Sequence, residues 1–146
     1  MPSWEEIEEE LLYRDGSLRD VYVLEGGPDD WKRLLEALPD SSWSYTFTWE
    51  GQPQPLPRTF SEARSREGTA LLSIDKNGLW LNCHFFNETE IEFDFRPEEI
   101  KSPQVFERLH AFLSWLADLL QKDVIITPEN TSDDIILTVT PVSRED

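Results

Sequence analysis

The stretch Thr69-Ala70-Leu71-Leu72-Ser73-Ile74-Asp75-Lys76-Asn77-Gly78-Leu79-Trp80-Leu81-Asn82-Cys83-His84-Phe85 decides the fold. Two apolar runs flank Asn77-Gly78, the dipeptide preferred in two-residue hairpin turns because both central positions need positive φ. Setting Lys76 opposite Leu79 puts Ile74 opposite Leu81 and Leu72 opposite Cys83. On the other side Ser73 meets Asn82 and Leu71 meets His84. The next segment, Glu90 to Phe95, alternates Ile91, Phe93 and Phe95 with Glu90, Glu92 and Asp94. Facing residues of a ladder share a side of the sheet, so the apolar set must join Leu81, Cys83 and Phe85. The register that does this puts Cys83 opposite Phe93, His84 opposite Glu92 and Asn82 opposite Asp94. Trp80 then falls on the polar side with Asn82 and His84.

Working outward, Ser42 to Trp49 alternates four hydroxyls with Trp43, Tyr45, Phe47 and Trp49, the period of a strand. Gly51 to Pro57 contains three prolines and reads as an extended loop. Thr59 with Glu62 is a capping box for a brief helix from Phe60 to Arg66. Upstream, Ser3 with Glu6 is another, opening a short helix from about Trp4 to Leu12. Val21 to Leu24 reads as a largely buried strand, and Gly26-Gly27-Pro28 opens a helix from Asp29 to Leu38 with Trp31, Leu34, Leu35 and Leu38 on one face. Downstream, Ser102-Pro103 is an N-cap followed by proline at the first helical position. In the helix it opens, Val105, Leu109, Phe112, Leu113, Leu116 and Leu120 form one stripe. Val124 to Ile126 and Ile135 to Val139 read as strands, separated by an acidic loop.

These elements predict a single α+β domain over residues 1–146, a mostly antiparallel sheet of six or seven strands with two or three helices packed mainly on one face. Residues 1–16 form an acidic helical end, possible as a loosely docked element, and residues 143–146 form a tail.

Thirty acids against thirteen bases give a formal net charge of -17 among 146 residues. Such a field repels phosphate backbones and anionic membranes and attracts basic surfaces. No direct nucleic-acid or membrane binding is expected. The charge sits at the two ends: Met1 to Asp40 has twelve acids and four bases, Ser41 to Trp80 four and four, and Leu81 to Asp146 fourteen and five. One cysteine leaves no internal disulfide. The start, Met1-Pro2-Ser3-Trp4-Glu5-Glu6, lacks the basic and apolar regions of a signal peptide, so a cytoplasmic location is expected.

Cys83-His84 with acids nearby suggests a metal site, but adjacent strand residues point to opposite faces. Cys83 therefore reads as a small core residue, and no cofactor is predicted. Gly26-Gly27 reads as turn chemistry, since Asp29 and Asp30 in the first helical turn would repel a phosphate. No nucleophile elbow, His-Glu-x-x-His or paired Cys-x-x-Cys occurs. The leading reading is a non-catalytic acidic domain that binds a basic protein, such as an inhibitor or immunity protein neutralising a nuclease-like partner. Its contact residues are Glu5, Glu6, Glu9 and Glu10 on the first helix, Trp80, His84, Glu92 and Asp94 on the hairpin, and Asp133 and Asp134 in the acidic loop. One alternative is a small hydrolase or metal-assisted enzyme using His84 with Glu92 and Asp94. Another is a structural homo-oligomer closed by a sheet edge or by Trp80.

Overall fold

The computed structural model describes residues 4–11, 18–65, 67–76, 78–129 and 134–142; the side chains of Glu6, Ile7, Glu9, Glu10 and Lys76 also lie outside the description. Its strands are β1 (Arg19–Val23), β2 (Ser44–Trp49), β3 (Gln52–Pro53), β4 (Ala70–Lys76), β5 (Leu79–Asn87), β6 (Glu90–Phe95), β7 (Val124–Pro128) and β8 (Leu137–Val139). They form one sheet in the order β3-β2-β4-β5-β6-β1-β7-β8, with every neighbouring pair antiparallel. The helices are α1 (Trp4–Leu11), α2 (Pro28–Ala37), α3 (Phe60–Ala63) and α4 (Pro103–Leu120).

The hairpin register read from Asn77-Gly78 is the one observed, from Lys76 opposite Leu79 to Leu71 opposite His84. Gly78 has φ +93°, as such a turn requires, while Asn77 itself lies outside the described residues. The register of β5 on β6 is also as expected through His84 and Glu92. Its consequence is a continuous apolar row across seven strands. Phe47, Leu72, Cys83, Phe93, Val21, Ile126 and Leu137 stand opposite one another in turn, and all are buried.

The expected count of six or seven strands is one short. Glu50 (φ +51°) and Gly51 (φ +77°) make a tight turn that lays Gln52 and Pro53 back on Trp49 and Thr48. Proline is compatible with that place because β3 is an edge strand and needs no inward N–H at every position. The brief helix expected from Phe60 to Arg66 ends earlier, as α3, with Thr59 Oγ1 accepting the Glu62 N–H at 3.1 Å. Leu24, expected in a buried strand, instead lies in the turn after β1 and is exposed.

The helices cover the apolar row. Trp31 of α2 stacks on Phe85 at 4.8 Å and meets Phe60 of α3 at 5.2 Å. Phe112 of α4 meets Phe93 edge-on at 5.5 Å and Trp43 at 5.2 Å. Ser102 caps α4 by accepting the Val105 N–H, and Gln121 in the left-handed region ends it. Of the expected stripe, Leu109, Phe112, Leu113, Leu116 and Leu120 are buried, joined by Phe106 and Ala117, while Val105 is only partly buried. Trp4 packs on Phe106 at 5.4 Å and Leu11 is fully buried, so α1 is docked by its two ends. Asp30 has a structural role: its carboxylate accepts the Gly27 N–H at the start of α2 and pairs with Lys122 beyond α4.

Candidate docking face

The candidate site is the other face of the same sheet. Side chains alternate along a strand, so β5 puts Trp80, Asn82, His84 and Phe86 on this face and leaves Cys83 on the core face. Cys83 is fully buried, and burial raises its thiol well above the ordinary value, keeping it neutral. From β6 come Glu90, Glu92 and Asp94, and from β1 come Asp20 and Tyr22. Across the ladders Asn82, Asp94 and Asp20 form one transverse row, and His84, Glu92 and Tyr22 form the next.

His84 sits at the centre. Its Nε2 lies 2.7 Å from Asp94 Oδ2, a short contact of the charge-assisted kind, with the two side chains 27% and 17% exposed. The Asp94 hydrogen bond holds the imidazole above its ordinary pKa; burial opposes this, and the charges of Asp94, Glu92 and Asp20 add to the rise. Burial raises Glu92 as well, helped by the charges of Asp20 and Glu90 and resisted by the Tyr22 hydrogen bond and His84. The Tyr22 hydroxyl, raised by burial and then by Asp20 and Glu92, stays protonated and donates to Asp20 Oδ2 at 3.2 Å. Carboxylates, a histidine and a tyrosine are thus gathered on one face of three neighbouring strands.

The ladder slips beside this set. His84 faces Glu92 but Asn87 faces Glu90, so β5 carries one extra residue, a β-bulge. Phe85 remains in the core, whereas Phe86 is 72% exposed and lies flat on the His84 ring, with centroids 4.9 Å apart and planes 2° apart. At the other end of β5 Trp80 is 43% exposed, and its backbone N–H donates to Glu99 Oε1 at 2.8 Å. A hollow of about 280 Å³ opens between Leu71, Trp80, Asn82, His84, Asp94 and Glu99.

Of the residues named from sequence, Trp80, His84, Glu92 and Asp94 come together here. Glu5 is exposed on α1, a different element that packs on α4 through Trp4, and Asp134 is exposed ahead of β8. The side chains of Glu6, Glu9 and Glu10, and all of Asp133, lie outside the described residues. The face also has members that sequence reading missed. Asp20 is only 3% exposed, and Tyr22 stands directly opposite Glu92. Their signal was the alternation of Asp20 and Tyr22 with Val21 and Val23, but nothing local shows that β1 pairs with β6. Phe86 was signalled only by doubling Phe85.

The hollow is slightly smaller than the roughly 300 Å³ at which ligand pockets usually begin, and no hydroxyl or thiol lines it beside the His84–Asp94 pair. Two hollows of about 320 and 380 Å³ elsewhere contain neither histidine nor cysteine. Among the described residues no three His, Cys, Asp or Glu side chains are placed to hold a metal ion. No described helix is long and apolar enough to cross a membrane.

Fold and site together define an antiparallel α+β domain with one helix-covered sheet face and one acidic face edged by aromatic rings. Comparisons with protein-family models, with curated proteins and with solved structures give no match to this chain.

Proposed function

We propose that the chain is a non-catalytic protein-binding domain that docks a basic protein on the second face of its sheet, in the manner of an inhibitor or immunity protein. The observation that carries this reading is the placing of Trp80 and Phe86. Both are exposed, both lie on β5, and His84, Asp94 and Glu92 fall between them. Six residues of strand separate them by about 20 Å, a span suited to a macromolecular partner. Large aromatics at the ends supply desolvated anchor area, while the carboxylates select a cationic surface and speed encounter. A nuclease-like partner suits the chemistry, since a protein that holds phosphates with Lys and Arg presents such a surface.

The test is affinity capture from lysate of the source cells at low and high salt, run in parallel with the double variant Trp80→Ala, Phe86→Ser. The expected result is a stoichiometric basic protein that is retained at low salt, weakened at high salt and lost by the variant. Capture undiminished in the folded variant would refute this face as the docking surface.

A further inference from the structure

We propose that the docking face is gated by pH through His84: the neutral ring leaves the surrounding carboxylates in full command of the face, and the protonated ring masks them, so acid releases a basic partner. The inference rests on the docking reading above and concerns its regulation.

The geometry is that of a titrating group at the centre of a fixed frame. His84 Nε2 is 2.7 Å from Asp94, Glu92 stands opposite across the ladder, and Asp20 and Tyr22 stand on the next strand over. The side chain is 27% exposed, which leaves it open to exchange with water, and Phe86 covers one side of the ring. The groups facing it come from every neighbouring strand. From β4 there are Leu71, directly opposite, with Ser73 and Asp75 further along; from β6 there are Glu90, Glu92 and Asp94, with Arg96 just after its end; and from β1 there are Asp20 and Tyr22. Glu99 joins them beside Trp80. Arg96 is the permanent cation of this group; it lines the hollow, outside the row of Asp20, Asp94 and Asn82. A proton on His84 therefore places a positive charge beside Glu92 and Asp94, the part-exposed carboxylates that an incoming guanidinium would meet, while Asp20 is buried in the same row.

Two further features set the direction and range. The Asp94 hydrogen bond and nearby charges move the His84 transition upward from the ordinary histidine value of about 6.5. Glu92, also raised, gains its proton at lower pH and removes negative charge in the same sense. By linkage, a cationic partner that disfavours protonated His84 must lower the pKa of that ring when it binds.

His84 and His110 are the only two histidines, so a single variant assigns their ring resonances. Burial lowers His110, which gives an internal contrast. In an NMR titration of the whole protein, His84 is expected to titrate above His110, and its midpoint should fall in Asp94→Asn and in Glu92→Gln. A histidine-free, arginine-rich peptide then serves as the probe, because arginine keeps its charge throughout this range. Its dissociation constant should be weaker at about pH 6 than at about pH 8, by roughly threefold to fivefold for a partly exposed charge pair. That slope should flatten in His84→Gln, and bound peptide should lower the wild-type His84 midpoint. A His84 midpoint at or below the ordinary value overturns the gate, as does a pH slope unchanged by His84→Gln; in both cases docking stands. Absence of peptide binding at both pH values overturns docking and gate together.

Discussion

The two faces of this sheet are made by the same strands in the same register, yet they divide the labour of the molecule. On one face, Phe47, Leu72, Cys83, Phe93, Val21, Ile126 and Leu137 run in a buried row beneath α2 and α4. On the other, displaced by one residue, Thr46, Ser73, Asn82, Asp94, Asp20 and Thr127 run in parallel. The first row removes apolar surface from water and so drives folding. The row beside the second, His84, Glu92 and Tyr22, opposes it locally, because burial and like charge both disfavour ionised Glu92. The contrast separates residues that hold the fold from residues kept at some cost to it, and perturbed carboxylates of the second kind concentrate at functional sites.

The sharpest way to break the contrast is to strike the covered face. Trp31 is fully buried, stacks on Phe85 and donates its Nε1–H to the Asn87 carbonyl at 3.3 Å. Trp31→Ala is expected to lose about 3–5 kcal/mol of stability in urea unfolding, as large aromatic truncations in packed cores do. A loss below about 1 kcal/mol would mean that the helix layer does not hold this sheet.

A smaller effect is expected from the ion pair on the open face, and its sign follows from the raised His84 pKa. A histidine whose pKa is higher in the folded state contributes stability that is full below the unfolded value of about 6.5. That contribution is lost as pH rises through the folded value. Wild type should therefore exceed His84→Gln in stability at about pH 6 by about 0.5–1 kcal/mol, the scale of a partly exposed pair, and the difference should shrink by about pH 8. Thermal unfolding of both proteins across that range tests it. A difference that grows with pH would contradict the pairing with Asp94.

What could be read from the chain alone divides along a similar line. Local devices were legible: Asn77-Gly78 specified the β4–β5 pairing, Ser102-Pro103 opened α4, and the alternation in Ser42 to Trp49 placed its aromatics toward the helices. The side of Cys83, His84, Glu92 and Asp94 followed from period two, and so did the separation of thiol from imidazole. Placement of β1 between β6 and β7 was not legible, because it joins segments far apart in sequence through hydrogen bonds that any strand can make. Asp20 and Tyr22 therefore escaped notice, although they complete the polar cluster around Glu92 and Asp94. The β3 strand was hidden by the three prolines of the Gly51 to Pro57 segment that holds it, and the bulge by a pair of phenylalanines equally suited to the core.

That bulge supplies the smallest expected effect on stability and the most direct test of the contrast. Phe86 contacts the His84 ring on one side and is otherwise mostly in water, so Phe86→Ser removes little buried area. Its cost should stay within about 0.5 kcal/mol, the usual range for surface changes, while capture of the partner should be sharply reduced. Suppose instead that the variant unfolds as readily as Trp31→Ala. The ring would then be part of the packing that fixes β5 on β6, and its exposure would reflect strand geometry rather than an anchor. Suppose that it is stable and still captures the partner fully. Docking would then be concentrated around Trp80 and the hollow beside Asp94, at the opposite end of β5. Equal stability with lost capture is the outcome that separates the two faces, because a residue selected only for folding cannot produce it.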